Sequence, residues 1–187
     1  LITVWTRLGS RPPINHAFGM QTAKTVIEVI LRWVEQQRLL DFAAYHDPLT
    51  GVGNRKRFFE ALDRSPAGGA ILYCDLDYFK AVNDQHGHAA GDELLRLTAE
   101  RIESCVRAGY VVARLGGDEF GVLCPGASPA RADEIADRIE KALDEPFDLG
   151  GRQAHVGVSI GIGHALGHLD SDTLDIADRN LYQVKGK

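Results

Sequence analysis

Midway along the chain, residues 110–115 and 120–124 form two short apolar runs parted by Gly116, Gly117, Asp118 and Glu119. No other stretch narrows the choice of fold as much. Glycine adopts the positive φ that a tight turn demands, so apolar, Gly-Gly, apolar predicts a β-hairpin. An antiparallel pair therefore lies inside the domain, and neighbouring elements must cover its apolar faces. Residues 70–75 read as a buried strand, and residues 156–162 set Val156, Val158, Ile160 and Ile162 in alternation with small residues, as in a strand with one buried face. Helical spacing links Phe58, Phe59 and Leu62 behind the capping residue Asn54, then Phe79 and Val82, then Leu95, Ala99, Ile102 and Val106 after Gly91. It recurs at Ile135, Ile139 and Leu143, and at Leu174, Leu181 and Val184 behind Ser171 as cap. From residue 70 the order is β, αα, β-hairpin, α, β, α, which defines an α/β domain.

The paired charge at the hairpin tip has two readings. A tip wet by solvent needs polar residues of no special kind. A second acidic cluster argues for more: Asp75 and Asp77 stand where the apolar run 70–75 ends, and in open sheets ligands gather where strands run out. If that strand lies beside the hairpin, Asp75 approaches Asp118. Two close carboxylates repel, and one has its pKa raised unless a cation neutralises both. Few oxygen ligands next to a place for phosphate suit Mg²⁺, which keeps waters and shares its shell with substrate oxygens. Gly116 and Gly117, without side chains, let the backbone come close to a nucleotide.

Upstream of residue 46 the pattern changes. Residues 2–6 alternate like a strand, and residues 10–19 read as a Pro-containing loop. From 20 to 45 no Pro or Gly interrupts, and Ala23, Val26, Ile30, Trp33, Gln37, Leu40 and Ala44 recur at steps of three and four. This predicts one helix of about 40 Å. Ile27, Leu31 and Val34 widen its apolar face, so a helix packed on its own domain and a parallel coil joining two copies stand about even. The turn-rich residues 46–54 mark a boundary.

Composition excludes several classes of function. The 187 residues, 44% hydrophobic and 25% charged, provide one domain with a sizeable core plus a short appendage. A net charge of −5 argues against the basic face that nucleic-acid binding needs, so an anionic ligand must be held locally by a few cations or a metal. No apolar stretch reaches the roughly 18 residues of a membrane span, and no signal-peptide layout opens the sequence. It begins at Leu1 with Met20 as its one methionine, and reads as a piece of a longer soluble protein. Cys74, Cys105 and Cys124 are odd in number, far apart and inside apolar runs. They read as buried hydrophobes in a reducing, cytoplasmic compartment.

Taken together, DPLTGVGNRKRFF, DLDYFKAVNDQHGHAAGD, RLGGDEF, VSIGIG and LYQVK closely resemble, in order and spacing over about 140 residues, the motifs of the GGDEF family of diguanylate cyclases. The resemblance implies a nucleotidyl cyclase or polymerase-palm fold, with a ferredoxin-like core and a central, mainly antiparallel sheet wrapped by helices. It implies condensation of two GTP into cyclic di-GMP with release of two pyrophosphates, using Mg²⁺ or Mn²⁺, across a homodimer. It implies Asp75 and Asp118 as metal ligands with the Leu76 carbonyl assisting, and Glu119 as a further ligand or as the base for the 3′-hydroxyl. Asn83 and Asp92 would read the guanine, Lys80 and Lys185 would face the phosphates, and Gly116 and Gly117 would line the nucleotide. Residues 1–19 become the remnant of an upstream sensor, 20–46 a linker helix and 47–187 the catalytic domain. The alternative is a non-catalytic domain that binds GTP or cyclic di-GMP. Degenerate domains of that kind usually lose an acidic residue or a glycine of the signature, and this chain keeps them all.

One departure stands out. The family's inhibitory RxxD motif is RAGY here, with Arg107 kept and Tyr110 in place of the acid, while Arg138 falls where some relatives supply a supporting arginine. Weak feedback by product is expected. His86 and His88 read as structural, and Asp47, Thr50 and Asn54 as turn and capping residues. Asp77 either supports the metal site or is solvated; Arg114 either pairs with a neighbouring carboxylate or lies on a wet face.

Overall fold

The structure is a computed structural model that describes residues 16–185, and the chain divides into two units, one ending at Phe42 and one starting at Ala43. The strand and most of the loop expected before residue 16 lie outside the described residues.

The first unit is dominated by helix α1, His16–Tyr45, whose last residues belong to the second unit. It starts four residues before the expected Met20. Residues 16–19, expected as loop, are helical, because a single glycine costs a long helix only about 1 kcal/mol and Pro13 lies before its start. Val26, Ile27, Ile30 and Trp33 are each at least half exposed.

In the second unit, strands β1 (Gly53–Asn54), β2 (Gly69–Leu76), β3 (Val111–Gly116), β4 (Glu119–Pro125) and β7 (Val158–Ala165) form one sheet, with β5 (Phe147–Asp148) and β6 (Gln153–Ala154) as a separate small hairpin. The sheet order is β1-β3-β4-β2-β7. Only β1 with β3 is parallel, so the expected central, mainly antiparallel sheet is present. Helices α2 (Arg55–Asp63), α3 (Phe79–His86), α4 (His88–Ser104), α5 (Pro129–Asp144) and α6 (Ser171–Lys185) wrap it. The alternation of β2 explains how: Leu72, Cys74 and Leu76 enter the core with Leu95, Ile102, Ile135 and Ile139 of α4 and α5, while Ile71 and Tyr73 face Phe58, Leu62 and Leu181 of α2 and α6.

Three helices start on side-chain caps, α2, α5 and α6. Asn54 accepts from the Arg57 amide at 3.0 Å, and Ser128 accepts from Arg131 ahead of Pro129. At α6 the cap is Asp170, one residue earlier than the expected Ser171: its Oδ1 accepts from the Thr173 amide at 3.0 Å and its hydroxyl at 2.9 Å. A carboxylate there also complements the helix dipole. The expectation of one buried face on β7 is corrected. A Cβ on Gly161 would lie 2.0 Å from the Ala177 carbonyl oxygen, and one on Gly163 would lie 2.1 Å from that of Thr173, so α6 presses its backbone onto the second face. The small residues alternate there because nothing larger fits.

All three cysteines are free and buried. Burial pushes the Cys124 thiol up to about 12 and raises that of Cys74 further, so neither is a nucleophile.

Candidate active site

The end of β2 and the β3–β4 hairpin meet in register. Asp75 lies directly opposite Glu119, and the Leu76 amide donates to the Asp118 carbonyl at 3.3 Å. Two acidic motifs more than 40 residues apart in sequence thus share one sheet end. The turn is irregular, with a register shift between Arg114 and Gly116, and Gly117 has a φ of +44°, which favours glycine. Gly116 is exposed, and a Cβ there would meet only Glu119 Oε2, at 3.8 Å, so bare backbone borders the acid pair.

Arg114 fastens this tip. Its Nε and Nη2 donate to the Gly117 carbonyl at 2.9 and 2.8 Å, and Nη1 donates to Asp47 Oδ1 at 3.2 Å. Asp47 also accepts from the Thr50 amide and hydroxyl at 2.9 and 2.7 Å. Burial alone would raise the Asp47 carboxyl, but the hydrogen bonds from Thr50 and the Arg114 guanidinium outweigh it and hold the group below the usual carboxylate range. The open question about Arg114 is therefore resolved in favour of a carboxylate partner.

On the α6 side, Lys185 forms an ion pair with Asp75 Oδ1. Asp75, Glu119, Asp178, Leu181, Tyr182 and Lys185 line a cavity of about 80 Å³, room for small ions or waters and far below the several hundred Å³ of a nucleotide pocket. Tyr73, on the same face of β2 as Asp75, lies beside Glu119 across the β2–β4 ladder. Burial, followed by the charge of Glu119, raises the Tyr73 hydroxyl well above its ordinary range. Sequence reading missed Tyr73, Asp178 and Tyr182. The signal was present: residues 178, 181, 182 and 185 recur at helical spacing, and 73 and 75 share a strand face.

The residues expected to read a base come together on the next two helices. Tyr78, with a φ of +61°, turns the chain from Asp77 into α3, and Gly87, at +85°, turns it from α3 into α4. Asn83 on α3 packs so tightly on Gly91 that a Cβ there would lie 2.0 Å from its Oδ1. The exposed Asp92 follows at once. Lys80 is exposed on the first turn of α3. Asp77 accepts from the Ser159 hydroxyl at 2.8 Å and its amide donates to the Gly157 carbonyl, so it ties the loop to β7. Farther away, Arg107 stacks over the Tyr110 ring at 4.6 Å; Arg138 is exposed on α5, and its carbonyl accepts from Cys105 Sγ.

Among the described residues no three His, Cys, Asp or Glu side chains form a metal cage, His86 and His88 included. Two carboxylates in register still fit Mg²⁺, which takes one or two protein carboxylates and draws its other oxygens from water and substrate.

A family model described as diguanylate cyclase, GGDEF domain, matches residues 44–187, and the chain belongs to that family. It is 43% identical over 157 residues to an uncharacterized signaling protein of Caulobacter vibrioides, covering 77% of this chain and 19% of that protein. It is 42% identical over 145 residues to the probable diguanylate cyclase DgcE of Escherichia coli, covering 73% of this chain and 13% of that one. The chain thus spans less than a fifth of the length of either relative. The coiled coil and GGDEF domain of DgcB from Caulobacter crescentus, solved in complex with c-di-GMP, align with a TM-score of 0.80 at 25% identity, covering 91% of this chain and 95% of that one. No helix among the described residues is long and apolar enough to cross a membrane.

Proposed function

We propose that this domain is a diguanylate cyclase that condenses two GTP into cyclic di-GMP and two pyrophosphates. The observation that carries the reading is the pairing of Asp75 with Glu119 beside the Leu76 amide and the Asp118 carbonyl, which gathers hard oxygen donors at a glycine-lined edge. Asp75, Asp118, Glu119 and the Leu76 carbonyl would hold Mg²⁺ or Mn²⁺. The chemistry such an ion supplies when bound is neutralisation of charge at the α-phosphate during in-line attack.

The chain's own groups do the rest. Asp92 accepts two hydrogen bonds from the guanine N1 and N2 donors, which adenine lacks, and Asn83 stands beside it. Lys80 and Lys185 offer ammonium groups to the triphosphate. Glu119, held opposite Asp75, takes the 3′-hydroxyl proton or adds an oxygen to the metal. Each domain holds one GTP, so two must face each other for the ring to close, and the apolar stripe of α1 suits a coil that joins two copies under an upstream sensor. With Arg107 held against Tyr110 instead of an acid, product inhibition at that position should be weak. Three free thiols suit a reducing cytoplasm.

The test is incubation of the chain with GTP or ATP and Mg²⁺, measuring pyrophosphate and nucleotide products, beside Asp118→Ala. Cyclic di-GMP should form from GTP alone, and the substitution should cost at least about 100-fold. Unchanged product from Asp118→Ala would remove the metal assignment, and GTP bound without turnover would favour a non-catalytic domain.

A further inference from the structure

We propose that Lys185 is a placeholder cation: its ammonium occupies Asp75 until a divalent ion arrives, then leaves for the triphosphate, so that metal entry and nucleotide binding are one exchange. This rests on the reading of Asp75 as a metal-holding residue.

The argument starts from register. Asp75 and Glu119 are directly opposed across β2 and β4, and like charges in that position destabilise a sheet unless something answers them. The two carboxylates are answered differently. Glu119 lies beside Tyr73 and has no ion pair among the described residues, whereas Asp75 carries a full countercharge from Lys185. Asp178 lines the same small cavity and adds further negative charge, so the space around the ammonium is a cation site by its own composition. A divalent ion seeking Asp75 meets a cation already there. The two repel at close range, so the ammonium weakens the hold of Asp75 on the ion.

Lys185 is equipped to move. Its side chain is more exposed than that of Asp75, 36% against 16%, and it lies in the last turn of α6 on a flexible four-carbon stem. Released, it needs a new anion, and a triphosphate held at the neighbouring glycine edge provides one. Nucleotide binding should therefore unlock Asp75 for metal, and metal should free Lys185 for nucleotide. By linkage the two effects are equal. Without nucleotide, the domain should hold divalent ions poorly because its own lysine competes.

The test uses the full chain without nucleotide and Mn²⁺ as probe, with free Mn²⁺ followed by electron paramagnetic resonance. Lys185→Met removes the competitor and keeps the stem, and should tighten Mn²⁺ binding about two- to fivefold, the range that a partly exposed ion pair sustains. Lys56→Met removes the same charge from α2, where Lys56 pairs with Glu60, and should leave the affinity unchanged, while Lys185→Arg should bind as weakly as wild type. Equal or weaker binding by Lys185→Met, or an equal gain in Lys56→Met, overturns the proposal. If wild type turns over GTP with Mn²⁺ in those cases, the cyclase reading stands and only the exchange falls. If neither wild type nor Lys185→Met binds Mn²⁺ at any concentration, with or without GTP, both fall. Circular dichroism and thermal unfolding check that each variant is folded, and Lys185→Gln repeats the measurement if Lys185→Met is not.

Discussion

Arg114 divides its guanidinium between the Gly117 carbonyl and the Asp47 carboxylate, two partners that together decide where the acidic tip sits. Removing it leaves the hairpin to its own irregular turn. Arg114→Ala should lower the rate of cyclic di-GMP formation about 10- to 100-fold, as losses of partners behind a metal site do, and Arg114→Lys should rescue little because an ammonium cannot span both acceptors. Steady-state assays of the pair test this, and a wild-type rate in Arg114→Ala would contradict it. Asp47 adds a pH dependence. Its pKa is lowered by folding, so its stabilisation is fully present above the ordinary carboxylate value of about 4 and is lost as pH falls through the lower folded value. Thermal melts of Asp47→Asn should therefore show a shallower loss of stability below about pH 4 than wild type; parallel curves would refute the assignment. The approach of Asp75 to the hairpin acids was legible because each closes a short apolar run. The Arg114–Asp47 pair, 67 residues apart, was not, because no periodicity links its members.

Elements follow their periods. The helices of the second unit and the three long central strands lie close to where apolar spacing puts them, because a buried face leaves a repeat in the sequence. Pieces too short to carry a repeat did not announce themselves: β1, β5 and β6 are two residues each, and the Asp170 cap differs from the expected Ser171 by one position. The glycines of β7 were visible as small residues but their reason was not, since it is the backbone of α6 that excludes a side chain. Gly161→Ala should cost about 1–3 kcal/mol in denaturant unfolding, the usual range for overpacking, and an unchanged midpoint would mean the helix yields freely. Gly91→Ala should push Asn83 aside. Its effect belongs to recognition, so KM for GTP should rise more than kcat falls; an unaltered KM would show that Asn83 does not act on the base.

At the scale of the whole molecule, the proposed condensation of two nucleotides would need two domains, and α1 is the candidate for joining them. Val26, Ile30 and Trp33 repeat at steps of four and three, Leu40 follows seven residues on, and each is half or more exposed in a single chain. Sedimentation of the chain with and without residues 20–45 should show a dimer for the longer form alone, and the same oligomeric state for both at high concentration would count against a coil. Everything else depends on whether Asp75 and the hairpin acids act on one nucleotide together. A crystal of the chain grown with Mn²⁺ and a non-hydrolysable GTP analogue, with manganese located by its anomalous scattering, tests that directly. Manganese bound to Asp75 and the hairpin acids, with the triphosphate along Gly116 and Gly117, is the expected result; metal and nucleotide bound away from Asp75, or no binding in that edge at all, would contradict it.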